Sequence, residues 1–96
     1  MAAGVPMGAR RLGRGPVHPG YFLATRYLEP LGLTQLALAE ALGISRRRVN
    51  EIVRGRRGMT PDTALRLGAY FRTEPEFWMQ LQLAWDMHQS KRARKT

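Results

Sequence analysis

The sequence predicts an all-α fold of five helices. Two observations carry this prediction. Five segments begin with residues that start helices and end with residues that stop them, and no segment alternates apolar and polar residues for long enough to form a strand. A chain of 96 residues has room for one domain. We therefore expect a single small helical domain with a modest core.

The first two helices are predicted mainly from their stop signals. The first covers about residues 20–28 and ends before Pro30, because a proline disfavours helix at the residue that precedes it. Gly32 then closes the turn. The second begins at Thr34, which acts as the N-cap, and runs through residue 42 to Gly43, which favours the conformation of a helix end.

The third and fourth helices start at N-capping hydroxyls. The third follows Ser45 and continues to Arg54, where Gly55 ends it. The fourth opens on Thr60 and Pro61, with the proline at the first helical position, and continues to about residue 71. These two segments complete the central part of the predicted domain.

The fifth helix is predicted to begin at Thr73, with Glu76 three residues later forming a capping box, and to end at about residue 88. Its apolar residues form two stripes on nearly opposite faces. One stripe comprises Phe77, Trp78, Leu81, Ala84 and Trp85, and the other comprises Met79, Leu83 and Met87. A small domain needs one such face for its own core. The second stripe is therefore predicted to be a homodimer interface, the alternative being a tight monomer that buries both.

The composition is strongly basic. Sixteen Lys and Arg against 7 Asp and Glu give a net charge of +9, which indicates a polyanionic partner. The lack of cysteine excludes disulfides and thiolate metal sites. Residues 1–17 are predicted to be a flexible basic arm and residues 90–96 a basic tail, flanking a domain at 18–89. No segment has the length of a membrane span or the apolar stretch of a secretory signal, so we expect a cytoplasmic protein.

The second and third helices are predicted to form a helix-turn-helix motif over residues 35–54. The apolar residues whose spacing would lock the two helices together are Leu38, Leu42, Ile44, Val49 and Ile52. Ala39 is small enough to let the third helix approach closely, and Gly43 tolerates the positive φ of a sharp corner. The combination of these features at this spacing specifies the motif.

The third helix carries an arginine-rich face opposite its core residues. A recognition helix inserts its N-terminal half into the major groove, where Arg grips guanine O6 and N7 and Asn grips adenine. The predicted base contacts are Arg46, Arg47, Asn50 and Glu51, and the predicted phosphate contacts are Gln35, Ser45, Arg48, Arg54, Arg56 and Arg57. An ordinary solvated face is the alternative for residues 46–48. For Glu51 two roles stay open: it accepts from a cytosine amino group, or it pairs with Arg47 and Arg54.

The motif resembles the Cro/CI-type (XRE) helix-turn-helix class, and its flanks narrow the resemblance. The elements His18-Pro19-Gly20, Glu29-Pro30-Leu31-Gly32-Leu33 and Pro75-Glu76-Phe77-Trp78 with Leu81-Gln82 look like the HigA subfamily of antitoxins. The similarity covers about residues 17–88. It implies a lambda-repressor-like, five-helix DNA-binding domain whose C-terminal helix, 74–88, mediates dimerisation.

The resemblance also implies a function. Proteins of this kind are homodimers that bind a palindromic operator on double-stranded DNA, repress their own operon and neutralise a HigB-type toxin that cleaves messenger RNA. It places Arg46, Arg47, Asn50 and Glu51 at recognition positions, with Gln35 and Arg54 near phosphates. Two alternatives stay open: a stand-alone repressor without a toxin, and a toxin inhibitor without operator binding. No catalytic, cofactor or metal site is expected, because His18 and His88 lie at opposite ends of the domain without a paired acid.

Overall fold

The computed structural model describes residues 15–94, which fold into five helices with no strand among them. The helices, numbered in chain order, are α1, in three consecutive pieces (Pro19–Leu23, Ala24–Leu28 and Glu29–Leu31), α2 (Gln35–Leu42), α3 (Arg46–Val53), α4 (Pro61–Phe71) and α5 (Pro75–Arg94). The predicted all-α class is confirmed. Residues 1–14 of the predicted arm and 95–96 of the predicted tail lie outside the described residues.

The predicted caps of α2, α3 and α4 are confirmed as hydrogen bonds. The side-chain oxygens of Thr34, Ser45 and Thr60 each accept, at 3.0 to 3.3 Å, from the backbone N–H three residues further on. These bonds satisfy donors that a helix leaves unpaired at its start. Gly43 ends α2 with a φ of 74°, and Pro61 occupies the start of α4 as predicted.

The predicted end of α1 at residue 28 is wrong, because the helix continues through Pro30 to Leu31. A proline inside a helix lacks the N–H donor, and its ring collides with the carbonyl four residues earlier. The middle piece of α1, Ala24–Leu28, is a π-helical turn, and the N–H of Glu29 reaches five residues back to the carbonyl of Ala24. This wider turn accommodates the ring of Pro30, so the helix continues to Leu31. Gly32 caps it with a φ of 62°.

The fifth helix differs from the prediction at both ends. It begins at Pro75, and the hydroxyl of Thr73 accepts from the indole N–H of Trp78 at 2.8 Å in place of the predicted capping box. It ends at Arg94 rather than near residue 88, so the predicted tail is helical as far as the structure describes it. The last turn contains Lys91, Arg92 and Arg94, and positive side chains there stabilise a helix because its C-terminal end carries partial negative charge. This explains why the basic segment extends the helix.

The core is centred on Trp78, which is fully buried. The rings of Phe22, Tyr27 and Phe77 lie 5.4 to 5.9 Å from it. The buried apolar residues are Leu23, Leu28, Leu38, Ala39, Leu42, Val49, Ile52, Met59, Ala64, Leu67 and Trp78. This set contains all the residues predicted to lock α2 on α3 except Ile44, which is partly buried against it. Helix α5 therefore completes the core with its first apolar stripe, and Ala84 alone of that stripe is exposed.

His18 caps α1 in a way that depends on its protonation state. Its Nδ1 accepts from the N–H of Gly20 at 2.9 Å, and its ring stands edge-on to Trp85 with centroids 5.5 Å apart. Burial lowers the pKa of His18 below its usual value of 6.5, and this outweighs the opposing effect of Asp86. Protonation would remove the acceptor and break the cap.

We expect this cap to make the stability pH-dependent. Because the folded pKa of His18 is lowered, the unfolded chain takes up the proton first, and stability is lost as the pH falls from about 6.5 through the folded pKa. His18→Asn keeps a capping acceptor without titrating in this range. Thermal unfolding at pH 7.5, 6.5 and 5.5 should show a flatter profile for the variant. Parallel losses in both proteins would contradict the role of His18.

Candidate nucleic-acid interface

The helix-turn-helix is built by α2, a corner at Gly43 and α3. The N–H groups of Gly43 and Ile44 both bond to the carbonyl of Ala39, at 2.9 and 3.0 Å, which closes α2 and turns the chain sharply. Ser45 then caps α3. Because Val49 and Ile52 are buried under α3, the opposite face of this helix points away from the core.

Arginine side chains dominate the exposed face of α3. Arg46 and Arg47 stand at its N-terminal end, and the side chain of Arg47 is 86% exposed. Arg54 is the exposed C-cap of the helix, and Arg56 and Arg57 follow it in the loop after Gly55. Five of the residues predicted to contact DNA thus form one basic surface along α3 and the loop beyond it.

Asn50 is held by the first helix of the motif. Its Nδ2 donates to Oε1 of Gln35 at 3.0 Å, and both residues are partly buried. A predicted base contact and a predicted phosphate contact are therefore linked directly. The bond fixes Asn50 from the side of α2, a coupling that the sequence analysis missed.

Glu51 is paired with two arginines. Its Oε2 accepts from Nε of Arg47 at 3.0 Å, and its Oε1 accepts from Nε and Nη2 of Arg57 at 3.0 and 2.8 Å. The bonds from Arg57 and then from Arg47 lower the pKa of Glu51, so the carboxylate is ionised at neutral pH. Of the two roles left open for Glu51, the pairing role is present with Arg47, and its second partner is Arg57 instead of Arg54.

Arg48 turns toward α4. Its Nη2 donates to Oδ2 of Asp62 at 2.8 Å and to the hydroxyl of the buried Thr63 at 2.6 Å. Arg66 donates to the same oxygen of Asp62 at 3.0 Å and to the carbonyl of Leu42 at 2.7 Å. The bonds from Arg48 and then Arg66 lower the pKa of Asp62. The structure therefore places Arg48 in a bridge between α3 and α4, away from the other predicted DNA contacts.

The loop that carries Arg56 and Arg57 is anchored to α5. The backbone N–H of Met59 donates to Oε1 of Gln82 at 2.6 Å, and Nε2 of Gln82 donates to Oδ1 of Asp86 at 2.9 Å. Gln82 is 9% exposed. This role of Gln82 was not predicted from the sequence, although a buried polar side chain needs such partners.

Two other features, a metal-binding cluster and a membrane-spanning helix, are absent from the described part of the chain. Residues 15–94 contain no group of three or more His, Cys, Asp or Glu side chains arranged to hold a metal ion. Their helices also include none with the length and apolar character needed to cross a membrane.

Comparisons with known proteins agree with this geometry. The helix-turn-helix family model HTH_3 matches residues 26–78. Virulence-associated protein I of Dichelobacter nodosus is 45% identical over 83% of this chain and 74% of its own length, and antitoxin HigA-1 of Vibrio cholerae is 40% identical over 81% and 73%. The structure of Pseudomonas aeruginosa antitoxin HigA with the higBA promoter superposes with a TM-score of 0.80 at 41% identity, over 83% of this chain and 87% of that one. The chain therefore belongs to the HTH_3 helix-turn-helix family and, within it, to the HigA-like proteins.

Proposed function

We propose that this protein is a dimeric antitoxin that binds the operator of its own operon, represses it and neutralises a HigB-type toxin. The arginine-rich outer face of α3 is the observation that carries this proposal, because its N-terminal half presents Arg46 and Arg47 to solvent. A related antitoxin of the same fold has been solved with its promoter. In this system the protein is the inhibitor and the repressor, not the catalyst, and it acts in the cytoplasm where its DNA lies.

Base reading is assigned to the N-terminal half of α3. Arg46 and Arg47 supply guanidinium groups for guanine O6 and N7, and Asn50 supplies an amide for adenine. The bond from Gln35 limits the orientations of Asn50 before DNA arrives, which reduces the entropy lost on binding. Glu51 lies beside Arg47 and completes the proposed base contacts.

Phosphate binding is assigned to groups that border this surface. They are Gln35 and Ser45 at the starts of the two motif helices, and Arg54, Arg56 and Arg57 at the end of α3. Arg48 is left out of this set, because its guanidinium already bonds to Asp62 and Thr63. These contacts would fix the register of the protein on the duplex without reading sequence.

Alanine substitutions of Arg47 and Arg57 should separate the two kinds of contact. Arg47→Ala should weaken operator binding by about 1–3 kcal/mol and relax the base preference at one position. Arg57→Ala should weaken operator binding without changing the base preference, and it should reduce the slope of log operator affinity against log salt by about one. Titrations of operator and random duplexes at several salt concentrations measure both effects. Equal weakening of both duplexes by Arg47→Ala would make Arg47 a phosphate contact. An unchanged salt slope for Arg57→Ala would remove Arg57 from the proposed phosphate contacts.

The proposed dimer face is the second apolar stripe of α5. Leu83 is 61% exposed and Met87 49% exposed, while Met79 is half-buried. Met79 also borders a shallow depression that includes Leu65 of α4, another exposed apolar side chain. A twofold axis through this surface would present two recognition helices about 34–36 Å apart, the separation that suits a palindrome.

Co-expression with the neighbouring reading frame tests the antitoxin role. We expect a small toxin encoded next to this chain to co-purify with it and to arrest growth when expressed alone. Growth arrest that this protein does not relieve would contradict the neutralising role. An operon that lacks any such frame would leave a stand-alone repressor.

A further inference from the structure

We propose that Glu51 is a specificity-determining residue, which holds Arg47 ready to read a base while restraining Arg57 from gripping phosphates on random DNA. This inference rests on the proposed function, since it concerns how the same helix separates its operator from other sequences. It differs from the base contact expected from the sequence, because it assigns Glu51 a second task, which is to weaken binding to the wrong DNA.

Glu51 provides the carboxylate that pairs within the basic surface of α3 and its following loop. Both of its oxygens are used, one by Arg47 and the other by Arg57, at 2.8 to 3.0 Å. The side chain is 23% exposed, whereas Arg47 is 86% exposed and Arg57 49% exposed. The carboxylate is thus sheltered by the arginines, which extend past it toward solvent.

The two arginines use different edges of their guanidinium groups. Arg47 donates through Nε, which leaves its two terminal nitrogens, Nη1 and Nη2, as the pair that faces a guanine. Arg57 donates through Nε and Nη2, the edge that would otherwise take two phosphate oxygens. The same carboxylate therefore orients one arginine for base reading and occupies one of the two edges through which the other can take a phosphate.

Phosphate contacts supply sequence-independent affinity, since each neutralised phosphate releases counterions. A protein with a net charge of +9 and several arginines on one surface is exposed to this kind of binding. Arg57 must leave Glu51 before it can take a phosphate with the same edge. A phosphate contact through this edge therefore breaks the pair, and a contact through the free Nη1 side is made beside the negative charge of Glu51.

We expect contacts between Glu51 and the operator bases to compensate for the broken Glu51–Arg57 pair. Random DNA offers no such contacts. A carboxylate in the major groove accepts from base amino groups such as cytosine N4, and on the operator it also keeps Arg47 aligned. On a sequence that presents acceptors such as guanine O6 or thymine O4, the desolvated carboxylate finds no donor among the bases. Glu51 is thus expected to widen the gap between right and wrong sequences, as a repulsive element does in specific interfaces.

Asp62 shows that the pairing pattern alone does not define this role. It also accepts from two arginines, Arg48 and Arg66, at 2.8 and 3.0 Å. Arg48 bonds from α3 to Asp62 and to the buried Thr63 of α4, and Arg66 of α4 also bonds to the carbonyl of Leu42 at the end of α2, so this cluster holds the domain together. The bonds between Arg57 and Glu51 instead join α3 to the loop that carries Arg56 and Arg57.

The test is Glu51→Gln, which keeps the shape of the side chain and removes its charge. At about 0.1 M salt we expect random duplexes to be bound about 10-fold tighter, with a salt slope steeper by about one. Operator affinity should stay equal or fall, so the ratio of operator to random affinity should drop at least about 10-fold. Glu29→Gln, which makes the same charge change at an exposed position in α1, should leave the ratio unchanged.

A second variant isolates the role of Arg57. If Glu51 acts by restraining Arg57, the tightening on random DNA should disappear when Glu51→Gln is combined with Arg57→Ala. A Glu51→Gln protein that discriminates as well as the wild type, or binds random DNA with an unchanged salt slope, overturns the inference and leaves the proposed function standing. A wild-type protein that binds operator and random DNA equally overturns both.

Discussion

Gly20→Ala should unfold the helix-turn-helix, with a loss of at least about 3 kcal/mol in the free energy of unfolding. Gly20 lies in the first turn of α1, where the backbone passes directly over the C-terminal end of α3. A Cβ at this position would overlap the carbonyl of Ile52 and come within 3.0 Å of the Cα of Val53. These are backbone atoms, which cannot swing aside as the end of a flexible side chain can.

The direction of the stability change in Gly20→Ala distinguishes helix propensity from steric overlap. Gly20 has ordinary helical geometry, and alanine in a helix is favoured over glycine by about 0.5–1 kcal/mol. Propensity alone would therefore stabilise the variant, and a loss can come only from the close approach. Gly32→Ala is the control, since its φ of 62° carries strain of about 1–2 kcal/mol while nothing lies within 4 Å of the added carbon. A chemical-unfolding midpoint of Gly20→Ala at or above the wild-type value would contradict the packing of α1 on α3.

Leu83→Glu should convert the proposed dimer into monomers and weaken operator binding at least about 100-fold. A glutamate within an apolar twofold face would be buried close to its own copy, and neither charge would have a partner. A monomer engages one half-site, so it loses the gain from simultaneous attachment, which amounts to about 10²–10⁴ in affinity. Light scattering reports the mass, and a titration with the operator duplex reports the affinity.

Leu31→Glu is the matched control. Leu31 is 62% exposed at the end of α1, against 61% for Leu83, so the two variants add the same charge at equal exposure. The Leu31 variant should remain dimeric. If Leu83→Glu also remains dimeric, the twofold face lies elsewhere, and the groove formed by Leu81, Ala84, Met87 and His88 becomes the surface to test.

The helix-turn-helix could be predicted because its sequence signals are local and mutually consistent. Thr34, Ser45 and Thr60 cap helices by bonding three residues ahead, which requires no tertiary context. The spacing of Leu38, Leu42, Val49 and Ile52 then determines which faces of α2 and α3 meet. Propensity, caps and apolar pattern agree over this segment, as they do in well-specified folds.

The errors arose where an unusual backbone or a tertiary contact overrode a local rule. Pro30 is a stop signal by its chemistry, but the π-helical turn before it accommodates the ring. Thr73 fits a capping box by its spacing to Glu76, yet its hydroxyl bonds to the indole of Trp78. Neither outcome can be read from neighbouring residues, because each depends on how α1 and α5 pack in the folded domain.

The arrangement of charges within the site was only partly predictable. Helical spacing placed Arg47 beside Glu51, and this pair is present. Arg57 lies beyond the end of α3 and reaches Glu51 only because the loop after Gly55 turns back, with the N–H groups of Arg56 and Arg57 both bonded to the carbonyl of Glu51. Arg48, one residue away from the recognition face, bonds across to Asp62, a partner 14 positions further along the chain.

The central claim is that the outer face of α3 reads one DNA sequence. Fluorescence anisotropy should be measured with the wild-type protein, using a duplex from the region upstream of its own reading frame and a shuffled duplex of equal length and composition. At about 0.15 M salt the upstream duplex should bind at least about 10³-fold tighter, and this ratio should depend on Arg47. Equal affinities for the two duplexes, both falling steeply with salt, would show that the arginine-rich helix is only a polyanion-binding surface and would contradict the account.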